Sequence, residues 1–182
     1  MGPHGSTGLH GNAGLAGNTG NGGPRLVITC GLPGSGKTTH ARIVAKRMNA
    51  VRFCPDEWMD ALSLDLYDEA RREKIEALQW KLGQELLARG SSIVIEWGTW
   101  GRSERDRLRM GARALGASVE LHYLSASVDV LFQRIQERAR ETPPIKREDV
   151  ARWAEIFQEP TSEEAALYDW FLVLPSDTSD GT

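Results

Sequence analysis

A chain of 182 residues with a net charge of −3 has the length of one domain and lacks the basic excess of a general nucleic-acid binder. No apolar run approaches the length of a membrane span. The two cysteines, Cys30 and Cys54, fall in predicted core strands and read as buried free thiols of a reducing cytoplasm rather than a disulfide.

Residues 1–24 hold nine of the nineteen glycines and no charged side chain. Such a segment buries too little to order itself. It reads as a disordered Gly/Asn-rich tail, native or added for expression, and it lacks the basic start and long apolar run of a signal peptide. The domain is expected over 25–175, and residues 176–182 read as a flexible C-terminus.

From Arg25 the chain alternates strands and helices. Residues 25–30 are a short β-branched strand. Ala41, Val44, Ala45 and Met48 recur on one face of a helix that stops at Asn49. A second strand, 51–54, ends at Pro55. A long polar helix between about 65 and 88 is expected to bury Ile75, Leu78, Leu82 and Leu86, with Gly90 past its end. Residues 92–96 read as a central parallel strand closed by a carboxylate. Ser103 is a candidate cap for a helix to Leu115.

Val119 to Leu124 is a fourth strand. Ser127 opens a helix with Val128, Leu131, Phe132 and Ile135 on one face. Val150, Trp153 and Phe157 mark another, ended by Pro160, and residues 170–174 are a last strand. Five strands alternating with helices predict an α/β three-layer sandwich: a five-stranded parallel sheet, helices on both faces and a small lid at about 140–160. Ligands of such sheets bind beyond the carboxyl ends of the strands.

The octet Gly31-Leu32-Pro33-Gly34-Ser35-Gly36-Lys37-Thr38 fits the phosphate-binding P-loop between a strand and a helix. Gly31, Gly34 and Gly36 let the backbone turn successive N–H groups toward phosphate oxygens. Gly34, Ser35, Gly36, Lys37, Thr38 and Thr39 are therefore the expected nucleotide contacts. Lys37 supplies a charge for the β- and γ-phosphates, and the Thr38 hydroxyl a ligand for Mg²⁺. A plain turn needs neither.

Asp56 and Glu57 follow the second strand. A carboxylate there can take the proton of an attacking hydroxyl; the alternative is an acidic start to a helix. Glu96, abutting Ile93-Val94-Ile95, stands where P-loop proteins keep a Mg²⁺-holding carboxylate; the alternative is a solvent-side strand end. Arg134 and Arg138, one helical turn apart, are candidates to neutralise a transferring phosphoryl group. Their alternative is a salt-bridged face with Glu137 and Glu141. Of the mixed-charge run 102–109, most reads as a solvated helix face, with Arg102 nearest the active edge. Trp97 and Trp100, with Trp58, either wall an acceptor pocket or pack. Trp80, Trp153 and Trp170 read as core.

With these residues placed, the chain resembles the small P-loop kinases of the nucleoside-monophosphate-kinase superfamily. Within it, the chain is similar to the bacterial predicted-kinase group often labelled AAA-family ATPases, which includes relatives of polynucleotide kinase, chloramphenicol phosphotransferase and zeta toxin. The resemblance runs from about Leu26 to Leu174. It rests on the loop 31–39, on the segment Glu96 to Arg102, which more often begins with Asp, and on Leu131 to Arg138, which is similar to the helix leading into the lid.

The resemblance implies that Asp56 activates the acceptor and that Arg134 and Arg138 contact ATP phosphates. Glu163 and Glu164 fall in a stretch also typical of the group, with no role assigned. The expectation is an ATP- and Mg²⁺-dependent phosphotransferase acting on a hydroxyl of a nucleoside, sugar or antibiotic. In it Lys37, Asp56, Arg134 and Arg138 are catalytic, Thr38 and Glu96 hold the metal, and Asp56, Trp97, Trp100 and Arg102 meet the acceptor. A polynucleotide 5′-hydroxyl kinase is a less favoured alternative because the chain is acidic. A nucleotide-switched binding protein or regulatory ATPase is a third reading, and it has no use for Asp56.

Overall fold

The computed structural model describes residues 22–138 and 143–175. The expected tail up to residue 21, the expected C-terminus at 176–182, and the start of the expected lid, including Arg140, lie outside the described residues. Five parallel strands stand in the order β2-β3-β1-β4-β5. They are β1 (Arg25–Cys30), β2 (Val51–Phe53), β3 (Ile93–Gly98), β4 (Ser118–Ser125) and β5 (Trp170–Pro175). The helices are α1 (Lys37–Met48), α2 (Pro55–Ala61), α3 (Glu69–Ala88), α4 (Arg102–Ala114), α5 (Val128–Arg138), α6 (Arg147–Ile156) and α7 (Ser162–Ala165). This is the predicted P-loop NTPase sandwich. Among the described residues no helix is long and apolar enough to cross a membrane.

Strand alternation sorts the side chains between the two covering layers. Ile93, Ile95 and Trp97 join Leu26, Ile28, Phe53, Leu87, Leu108 and Ala112 in the core under α3 and α4. Val27 and Val94 face α1 and meet Ala41 and Ala45. Each fully buried Leu or Ile of this kind contributes about 1.5–3 kcal/mol over leaving it in water. A third cluster joins Leu32 to Leu131, Ile135 and Val150, and so packs α5 and α6 against the loop before α1.

Several boundaries and faces differ from expectation. The buried seam of α3 is Ile75, Gln79, Gly83 and Leu87, while Leu78 and Leu82 are 58% and 41% exposed. The seam runs at a spacing of four. Gly83 lies on it because a Cβ there would sit 2.9 Å from Ile93 Cδ1, and Gln79 because its Oε1 accepts a 2.8 Å hydrogen bond from Trp97 Nε1. A count of leucines misses a seam built from glycine and glutamine.

Gly101, not Ser103, caps α4. Cys54 is the N-cap of α2 rather than a strand residue, and both cysteines are free and buried. Trp170 is 62% exposed, because among the described residues β5 is an edge strand paired only with β4. The short helix α7 was not expected.

Candidate functional site

The order of the sheet creates a crevice at the carboxyl ends of β1 and β3, where the chain's connections diverge to either side. The loop 31–36 leaves β1 there. Gly31, Gly34 and Gly36 have φ of 142°, 89° and 93°. A Cβ on Gly31 would lie 2.5 Å from the Leu124 carbonyl oxygen, and one on Gly34 would lie 2.9 Å from that of Leu131. The loop is thus wedged between β4 and α5, and glycine is required by space as well as by φ.

Gly31→Ala should cost about 1–3 kcal/mol through this clash. It should also shrink the rise in melting temperature that Mg·ATP gives the wild type, which parallel thermal melts with and without nucleotide would measure.

Gly36 caps α1 without a side-chain bond, and the first turn of α1 holds no acidic residue. Its free N–H groups and dipole are therefore open to an anion. Lys37 Nζ donates to the Leu32 carbonyl across the loop at 2.8 Å. Burial pushes the Lys37 ammonium down to about 8, while the charges of Glu96 and Asp56 pull the other way and Arg138 adds to the lowering. Ser35 is buried, Thr39 exposed.

Glu96 lies on the α1 side of β3, two residues on from Val94. The register between β1 and β3 shifts between Ile28 and Cys30, so that β3 carries an extra residue beside Glu96. A bulge of this kind re-aims a side chain at a strand end. The Glu96 side chain is only 4% exposed. The Thr38 hydroxyl hydrogen-bonds Glu96 Oε1, and Arg52 Nη1 reaches Oε2 at 2.5 Å.

A hydroxyl and a carboxylate oxygen side by side, next to a phosphate cradle, are a fitting donor pair for Mg²⁺. Among the described residues no three His, Cys, Asp or Glu side chains form a self-contained metal cage. That suits an ion that takes its remaining ligands from water and phosphate.

Asp56 stands in the first turn of α2, after Pro55. Its carboxylate pairs with Arg72 of α3 at 2.7 Å and is 60% exposed. The neighbouring Glu57 takes Arg52 at 2.5 Å and Arg42 at 2.7 Å on one oxygen. The hydrogen bond from Arg52 is the main cause that holds its carboxyl below the usual range. Sequence reasoning missed these arginines. Arg52 carried a signal, being a cation at the centre of a three-residue strand; Arg72 and Arg42 carried none.

Arg134 and Arg138 ride on α5, whose Leu131 and Ile135 pack against the loop. Arg138 Nε reaches the Arg134 carbonyl at 3.3 Å. Trp97 is 8% exposed within the core, which fits the packing alternative. Trp100 is half-buried beside Trp153, with ring centroids 6.3 Å apart. Arg102 pairs with Asp106 at 3.5 Å.

The solvated-face reading of 102–109 fails at Arg105, which is fully buried. Its guanidinium binds both oxygens of Glu164, at 2.7 and 2.8 Å. It also binds the carbonyls of Thr99 at 2.9 Å, Trp100 at 3.3 Å and Gln158 at 2.8 Å.

A family model described as an AAA domain matches residues 26–160. A comparison with curated proteins finds no match. Solved structures with the same fold include a candidate kinase of Chloroflexus aurantiacus, 18% identical with a TM-score of 0.67 over 88% of this chain and 92% of that one. A gluconokinase from Sinorhizobium meliloti is 20% identical, with a TM-score of 0.57 over 86% of this chain and 83% of that one. Kti12 of Chaetomium thermophilum, solved with ADP-AlF3, is 17% identical, with a TM-score of 0.62 over 84% and 89%.

Proposed function

The chain belongs to the AAA-domain family and has a P-loop kinase-like fold, and from that premise we propose that it is an ATP-dependent phosphotransferase acting on a hydroxyl of a small molecule. The observation that carries the reading is the Thr38 hydroxyl bonded to the buried Glu96 carboxylate beside the glycine loop and Lys37, with an exposed carboxylate, Asp56, just past the end of β2, the strand next to β3. A protein that only binds or hydrolyses nucleotide gains nothing from a second, solvent-facing carboxylate there. The likeness to a gluconokinase is in line with a small polyhydroxylated acceptor.

In this reading the loop N–H groups and Lys37 hold the β- and γ-phosphates of ATP. Thr38 and Glu96 would hold Mg²⁺, which would supply positive charge to offset that of the phosphates. Asp56 accepts the acceptor's proton as the acceptor oxygen forms its bond to the γ-phosphorus. The bond from that phosphorus to the β–γ bridging oxygen breaks, and ADP leaves with the electron pair. Arg138, with Arg134 one turn before it, offsets charge on the transferring group. Little covalent chemistry is asked of the protein; position and charge do most of it.

The test is to supply purified protein and Mg·ATP with pooled nucleosides, sugars and hydroxylated antibiotics. Pools are scanned by mass for a product heavier by one phosphoryl group. One pool should yield such a product, and Lys37→Ala should lower its rate by about a hundredfold or more. Slow hydrolysis indifferent to every pool would overturn the reading in favour of a nucleotide-switched binding protein.

A further inference from the structure

Arg52 is the side chain that joins the two acidic centres of the site. It is the middle residue of β2, beside Val94 of β3 in register. Phe53 packs toward α3 and α4, so Arg52 projects to the opposite face, the one that carries α1 and Glu96. Its side chain is 13% exposed. One terminal nitrogen takes Glu96 Oε2 and the other takes Glu57 Oε1, both at 2.5 Å. The guanidinium is planar and its donors diverge at fixed angles, so the two carboxylates cannot move independently while both bonds hold.

We propose that Arg52 is a positioning residue for the metal-contacting carboxylate. By engaging Oε2 it turns Oε1 of Glu96 toward Thr38, and through Glu57 it ties that orientation to the start of α2, where Asp56 stands. The inference rests on the phosphotransferase reading only for the presence of Mg²⁺ with the nucleotide. It accounts for how a glutamate serves at this position. Its extra methylene adds a rotatable bond, and Arg52 removes the freedom that bond brings. Groups that orient a metal-contacting side chain are worth about 10–100-fold in metal affinity.

Two effects oppose one another when Arg52 is replaced. Loss of orientation weakens the metal's hold. Loss of a nearby positive charge strengthens it. Positioning and mere charge therefore predict opposite signs, which makes the proposal testable without an acceptor.

The probe is a fluorescent ATP analogue titrated with Mg²⁺ on the full chain, with folding of each variant checked by circular dichroism. In Arg52→Gln, half-saturating Mg²⁺ should rise about tenfold or more, while affinity for the analogue without metal stays near that of the wild type. Arg52→Lys keeps the charge but cannot span both carboxylates, so it should show a rise of the same sign. It also serves as the readout if the glutamine variant does not fold.

A fall in half-saturating Mg²⁺ in Arg52→Gln, or a lysine variant equal to the wild type, would overturn the positioning role. It would leave the phosphotransferase reading intact. Failure of the wild type to bind the analogue with Mg²⁺ would overturn both.

Discussion

Glu164→Ala is expected to remove about 3–5 kcal/mol of folding stability, because it leaves a fully buried guanidinium without its counter-charge. Arg105 has no exposed surface, and Glu164 is 1% exposed at the side chain. Their paired bonds are charge-assisted and bidentate. The remaining donors of Arg105 hold the carbonyls of Thr99, Trp100 and Gln158. One side chain thereby fastens three segments: the loop that follows Glu96, the exit of α6, and α7.

Domains of this size are stable by only about 5–15 kcal/mol, so the loss is a large share of the whole. Urea denaturation of Glu164→Ala against wild type measures it, and a loss under about 1 kcal/mol would show that the pair is dispensable. Replacing both partners by apolar residues should recover part of the loss, since the uncompensated charge goes. Recovery should be incomplete, because three backbone carbonyls then lose their donor.

Asp56→Asn is expected to lower the rate of transfer by about 10²–10⁴-fold, the range for removing a general base. The amide keeps the size of the side chain and can still accept a hydrogen bond from Arg72. It cannot take a proton. Half-saturating Mg·ATP should move by no more than about threefold, since in the proposed reaction the residue serves the acceptor and not the nucleotide. Steady-state kinetics in ATP at saturating acceptor would separate the two quantities. An equal loss in both would reassign Asp56 to nucleotide binding.

The parts of this molecule that were legible in the sequence are those with a local signature. The β-branched run before Gly31, the glycine spacing, and Lys37-Thr38 together predicted a strand, a loop and a helix start, and the structure has them within a residue or two. Ile93-Val94-Ile95 announced a central strand, and the carboxylate after it is buried against Thr38. What escaped was set by partners distant in sequence. Arg105 sits in a run of alternating charge, and only Glu164, far along the chain, makes its burial tolerable. Arg52 looked like one polar residue in a short strand, because its meaning depends on Glu96 in a neighbouring strand. The seam of α3 was misphased because Gly83 and Gln79 take positions where leucine would be expected. They do so for the close approach of Ile93 and the hydrogen bond of Trp97. Trp170 was misplaced because nothing within a strand says that it lies at the edge of the sheet.

The central claim is that the γ-phosphoryl group passes to an acceptor hydroxyl under the control of Asp56. The most direct measurement follows the γ-phosphorus label of ATP in the wild type and in Asp56→Asn, with the acceptor pool present. The account predicts label in an organic phosphate in the wild type and its near-complete loss in the variant, with ATP binding retained in both. Label found only as inorganic phosphate, at the same slow rate in both proteins, would contradict it.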